Sequence, residues 1–256
     1  MNPQNDADDA ESIQSIEELK PRREFLMRTI AGSGAFAILG LAQARSDQGS
    51  ENKSAEKSEE EEVAPAEDLM REHGLLNRIL LIYDESRRQL LAPKGDMDVD
   101  VLAGAAKIVR EFVEDYHEKL EENYLFSRFR KAGKEVELVE TLLAQHNAGR
   151  ALTDQIRGLA TASSVKDPTN RKKLAERLES FNRMYRPHEA REDTILFPAF
   201  KKIVSPHEYG ALGEDFEKKE NQLFGDDGFE KMVAKVAGLE KKIGIYDLAQ
   251  FTPKVK

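Results

Sequence analysis

The chain has 256 residues, a formal charge of −9, 34% charged and 39% hydrophobic residues, and neither Cys nor Trp. That length fits one ordinary domain with tails, and the acidic balance argues against a nucleic-acid-binding surface, which needs clustered Lys and Arg. Without cysteine there is no disulfide framework, thiolate metal site, iron–sulfur cluster or cysteine nucleophile, so any metal must be held by His, Asp, Glu or backbone oxygen.

Residues 1–21 are polar and carry no apolar periodicity. Pro21-Arg22-Arg23-Glu24-Phe25-Leu26-Met27 and Arg28 then precede an uncharged stretch from Thr29 to Ala44. A bilayer-spanning helix needs about 20 residues, so this stretch is too short to be one. It ends in Ala42-Gln43-Ala44, a small-x-small cleavage pattern. The paired arginines, the Phe-Leu that follows and the weak apolar core resemble a twin-arginine (Tat) export signal, with Pro21 and Met27 departing from its usual residues. The expectation is a signal over 1–44, recognised by the Tat export machinery, and a periplasmic or otherwise exported protein, with tethering by an uncleaved signal as the variant outcome. Residues 45–65, including the run Glu59 to Glu62, have little to bury and read as a disordered acidic linker.

From Ala66 onward apolar residues recur at three- and four-residue spacing, which predicts helices. The first helix carries Leu69, Leu76, Ile79, Leu80, Tyr83 and Leu90 and stops at Pro93 and Gly95; the second runs from near Asp98 to Gly133. A third covers Val136 to Leu159, and the fourth opens with the cap Asp167-Pro168 and continues through Phe200. Long helices with short connections predict an all-α, up-down-up-down four-helix bundle over 66–204. Ser205 with Glu208 reads as a capping box opening a C-terminal helical extension over 205–256, with a further helix after Asp227.

The bundle repeats itself. His117-Glu118-x-x-Glu121-Glu122-x-x-Leu125-Phe126 on the second helix matches His188-Glu189-x-x-Glu192-Asp193-x-x-Leu196-Phe197 on the fourth. Single histidines, His73 and His146, stand at nearly the same interval on the first and third. Residues four apart on a helix differ by about 40° of rotation, so each His-x-x-x-Glu pair shares a face. Leu69, Val113, Leu142 and Met184, each four residues before a histidine, turn all four imidazoles inward. A bundle core burying four imidazoles and two carboxylates with nothing bound would carry uncompensated charges costing several kcal/mol each. The expected ligands are therefore His73, His117, Glu121, His146, His188 and Glu192. Four imidazoles and two bridging carboxylates offer four bonds to each of two ions and leave about two positions open on a six-coordinate metal. That donor set suits iron better than a closed tetrahedral zinc site, with zinc or manganese as alternatives. By the same rotation Glu118, Glu122 and Glu189 should turn away and be solvated, His207 should be exposed, and Gly149 could leave room for a bound diatomic. Tyr116, Tyr124 and Tyr185 read as core packing.

One histidine on the first and third helices, with His-x-x-x-Glu on the second and fourth, resembles the hemerythrin-like (HHE cation-binding) family. The likeness covers roughly Ala66 to Val204 and implies a non-haem di-iron centre with both glutamates bridging. Oxygen-carrying members place a second histidine where this chain has Arg150, and an Asp at the spacing of Asp193. The pattern is nearer to members associated with iron-centre repair and nitric oxide or redox stress. The resemblance implies a protein binding a small diatomic ligand, dioxygen or nitric oxide. The alternatives are a di-iron oxidoreductase (peroxidase or nitric oxide reductase), with a redox partner the sequence does not identify, or an iron-delivery protein.

Overall fold

The computed structural model describes residues 64–93 and 97–255. The twin-arginine stretch and the acidic run lie outside the described residues. Among the described residues six long helices follow one another, with two short 3-10 helices at Ser164–Lys166 and Leu248–Phe251, and there is no strand. No described helix is long and apolar enough to cross a membrane.

Helix α1, Pro65–Leu91, begins with proline at its first turn, and Glu67 and Asp68 face its positive end. Its last carbonyls are held from outside: Arg171 donates to Leu90 O at 2.6 and 3.0 Å and reaches the carbonyls of Gln89 and Ala92. Helix α2 is a continuous path over 99–132, capped by Asp98, whose side chain accepts from the Asp100 N–H at 3.0 Å. It closes on Gly133 at φ 62°, the left-handed conformation that glycine adopts without strain. Helix α3 spans Val136–Leu159. Helix α4 covers 168–203, with Asp167 accepting from Asn170 N–H at 2.8 Å and Pro168 in the first turn.

Two of these helices are not regular. In α2 the segments Val109–His117 and Glu121–Phe126 are π-helical, with α-helical Glu118–Leu120 between them; in α4 Glu192–Leu196 is π-helical. The widened turns after Glu121 and after Glu192 occupy equivalent places in the two halves of the repeat. Pro187, just before His188, removes one helical N–H from α4.

The first four helices form the bundle, α4 lying along both α1 and α3, and α2 along α1 and α3. One apolar core runs through it, from Leu69, Ile79 and Tyr83 through Phe112, Phe126 and Phe129 to Phe181, Phe197 and Phe200. Helix α5, Pro206–Phe224, and helix α6, Gly228–Ile243, pack on the outside. Ser205 caps α5 by accepting from Glu208 N–H at 3.2 Å, while the Glu208 carboxylate pairs instead with Arg128 at 2.8 Å. The α6 N-terminus is capped from α5, where Glu220 accepts from Phe229 N–H at 2.9 Å. Arg78 of α1 grips Glu240 of α6 through two hydrogen bonds of 2.9 and 2.5 Å, and Phe224 packs against Phe112 and Tyr116 of α2. The extension thus covers the α1–α2 side.

Candidate metal centre

The six residues singled out by the repeat converge at the middle of the bundle. Glu121, His146 and Glu192 have no solvent exposure, and His73, His117 and His188 are 2–3% exposed. His73 and His117 lie with ring centroids 4.8 Å apart; His146 and His188 lie 4.9 Å apart. Each helical hairpin therefore supplies one imidazole pair. The glutamates reach between the pairs: Glu121 lies 3.7 Å from His117 Nε2 through one oxygen and 3.4 Å from His146 Nε2 through the other. Glu192 stands 3.1 Å from His188 Nε2 and 3.4 Å from His73 Nε2, with its second oxygen 4.0 Å from His146 Nε2.

Every Nδ1 atom points outward at an oxygen. His73 meets Asp193 at 2.8 Å, His117 meets Glu72 at 2.6 Å, His146 meets Glu122 at 3.1 Å and His188 meets Gln145 at 2.9 Å. An oxygen acceptor at Nδ1 fixes the hydrogen there and leaves the Nε2 lone pair free. All four Nε2 atoms then face the centre, and those of His146 and His188 come within 3.2 Å of each other. All four oxygens of Glu121 and Glu192 are buried without a hydrogen bond. Eight electron-rich atoms converging without donors is unfavourable unless positive charge sits among them. The donors are all nitrogen and oxygen and include two His-His-Glu groups, so metal cations that favour such donors, iron among them, fit.

The protonation tendencies point the same way. Burial opposes the charged form of His73, yet the hydrogen bond to Asp193 and the nearby Glu192 and Glu121 carboxylates outweigh it and raise its pKa well above the usual value. Burial and the neighbouring Glu192 charge drive Glu121 well above the carboxylate range. Glu192 is also penalised by burial, but His188 and His73 hold it well below that range. Protons thus gather on the cluster where a cation would otherwise compensate the carboxylates. On the other side of the centre, burial depresses His146 to about 4 despite its Glu122 partner.

Several expectations need correction. Glu118 and Glu189 are buried rather than solvated, at 1% and 2% exposure. Glu118 accepts from Tyr185 Oη at 2.7 Å and from Arg150 at 2.6 Å, and Glu189 accepts from Asn77. Glu122 is part-buried and holds His146, Arg150 and Lys119 together. A residue one step past a ligand is rotated by about 100° on an α-helix and by less on a π-turn. In a bundle that direction meets the neighbouring helix, not water. The space beside Gly149 is filled as well, since a Cβ there would lie 2.0 Å from Tyr185 Oη. His207 is exposed, as expected, and Tyr116 and Tyr185 are buried while Tyr124 is half-buried.

That Glu72, Gln145, Glu122 and Asp193 hold the imidazole Nδ1 atoms was not expected from the sequence, yet the repeat carries a signal for them. Glu72 and Gln145 each stand immediately before the single histidine of their half, and Glu122 and Asp193 each stand immediately after its central glutamate.

Fold, repeat and site define a metal-binding helical bundle. Residues 64–200, and again the overlapping 137–223, match the hemerythrin HHE cation binding domain, and the chain belongs to that family. It is 41% identical over 232 residues to an uncharacterized protein of Mycobacterium bovis and to uncharacterized proteins of two Mycobacterium tuberculosis strains, covering 91% of each chain. No solved structure matches.

Proposed function

We propose that this protein is an exported di-iron protein that binds a small diatomic molecule, dioxygen or nitric oxide, in a sensing or redox-stress role. The observation that carries the metal reading is the set of four buried glutamate oxygens without hydrogen bonds, set among four imidazole Nε2 atoms. His73, His117 and Glu121 would hold one ion and His146, His188 and Glu192 the other, with both glutamates in reach of either pair. Iron bound there would supply a Lewis-acidic, redox-active site with positions left open to an outside molecule. The protein's own part is to hold each imidazole in the right tautomer through its Nδ1 partner, and to keep the centre dry with Phe197 stacked on His73 and Phe126 on His146.

Protein purified from iron-rich medium should contain about two iron atoms per chain and absorb in the near ultraviolet. Glu121→Ala and Glu192→Ala should each lose most of the iron while keeping helical content. An iron-free wild-type protein whose melting does not respond to added iron would refute the reading.

A second reading, a di-iron oxidoreductase acting on peroxide or nitric oxide, is favoured by Tyr185. Its hydroxyl is hydrogen-bonded to buried Glu118 and its ring packs edge-on against His188, 5.5 Å between centroids. Turnover with an electron donor, lost in Glu121→Ala and reduced in Tyr185→Phe, would favour the enzyme; stoichiometric binding without turnover favours the sensor. For export, residues 1–44 fused to a reporter that requires the twin-arginine route should carry it across the membrane, and Arg22→Lys with Arg23→Lys should abolish this.

A further inference from the structure

The two halves of the repeat surround their imidazoles in matching positions but not with matching residues. Glu72 presents a carboxylate oxygen to His117 Nδ1, where the equivalent Gln145 offers His188 a neutral amide oxygen. Asn77, four residues after His73, corresponds to Arg150, four after His146; the first is neutral and the second is a cation bonded to Glu118 and Glu122 at 2.6 and 2.5 Å. Lys119 corresponds to Ala190 in the repeat, and its ammonium pairs with Glu122 at 2.5 Å. Three departures run in one direction. The His73/His117 pair is backed by two carboxylates, Glu72 and Asp193. Behind His146/His188 stand an amide and two carboxylates, Glu122 and Glu118, but both are bonded to the Arg150 guanidinium and Glu122 also to Lys119, so their charge is already offset.

A carboxylate at Nδ1 makes an imidazole a stronger donor to a metal at Nε2, and loss of such an outer partner typically lowers metal affinity by roughly 10- to 100-fold. Nearby cations also repel a metal ion directly. From these contacts we infer that the two metal positions are unequal, the ion on His146 and His188 being the more weakly held, and that Gln145 is a positioning residue setting that difference. The inference rests on the di-metal reading above and deepens it: one ion is a fixed part of the protein, while the other is exchangeable.

The test uses the full protein loaded anaerobically with two equivalents of ferrous iron and mixed with excess chromogenic ferrous chelator. Wild type should release iron in two phases of equal amplitude whose rates differ at least tenfold. Gln145→Glu should slow the fast phase about tenfold or more, a change that misfolding would not produce, since a loosened fold releases metal sooner. Glu72→Gln should accelerate the slow phase. Release of both ions at one rate in wild type, or a fast phase that Gln145→Glu leaves unchanged, overturns the inequality while the di-metal centre stands. Failure to take up ferrous iron at all overturns the di-metal reading, and this inference with it.

Discussion

Replacing Gly149 with alanine sets two physical effects against each other. Gly149 lies within α3, where exchanging glycine for alanine should stabilise by about 1 kcal/mol through helix propensity alone. The added methyl, however, would sit 2.0 Å from Tyr185 Oη, 2.8 Å from Cζ and 3.0 Å from Cε2. Tyr185 cannot step aside freely. It is 1% exposed, its ring lies 4.3 Å from that of Phe181 between centroids, and its hydroxyl donates to Glu118 at 2.7 Å. Overpacking a core typically costs about 1–3 kcal/mol, and losing a hydrogen bond to a charged group costs about 1.5–3 kcal/mol. Set against the propensity gain, Gly149→Ala should destabilise by about 1.5–5 kcal/mol. Urea unfolding at fixed metal loading reads this directly. In a Tyr185→Phe background the nearest clashing atom is gone, so the same substitution should cost at least about 1 kcal/mol less, a coupling of the size found between contacting residues. Gly74→Ala and Gly238→Ala, helical positions where a Cβ meets nothing within 4 Å, serve as controls and should stabilise by about 0.5–1 kcal/mol. A Gly149→Ala protein as stable as wild type, or more stable, would refute the close packing of Tyr185 on α3.

Burial raises the Glu114 pKa above its usual value despite its contacts with Thr153 and Arg110. Its favourable contribution is therefore complete below the unfolded value, about 4.3, and is lost as pH rises through the folded value. The melting temperature of Glu114→Gln should rise relative to wild type as pH increases from about 4, and a pH-independent difference would contradict this. Arg171→Met keeps an aliphatic stem but frees the terminal carbonyls of α1; urea unfolding should show a loss of about 1–3 kcal/mol, and a change below about 0.5 kcal/mol would mean those contacts add nothing. Dialysis against a strong chelator should lower the melting temperature, since an ion bound only to the folded state at a hundred times its Kd adds about 2.7 kcal/mol. Calorimetry in buffers of different ionisation enthalpy should show proton release on iron uptake, because His73 and Glu121 hold protons well above their usual ranges. Affinity then falls as pH falls, and pH-independent binding would argue against that protonation.

Helix positions, the caps at Asp167 and Ser205 and the two-hairpin repeat were legible from local chemistry, because periodicity and capping are properties of a few consecutive residues. The six central residues were legible for a related reason: a polar pattern repeated on inward faces has few explanations besides a shared ligand. The neighbours of those residues were not. The burial of Glu118 and Glu189 and the seating of Tyr185 over Gly149 depend on how far one helix slides and turns against the next. So do the Nδ1 contacts of Glu72, Gln145, Glu122 and Asp193. Widened turns at Glu121–Phe126 and Glu192–Leu196 shift that rotation in a way no α-helical wheel contains. Sequence alone determined that the repeated histidines and their glutamates turn inward, since four-residue spacing puts them on one face with apolar neighbours. Only the packed bundle decided which atoms touch across helices, because those contacts come from interhelical register, to which every core side chain contributes.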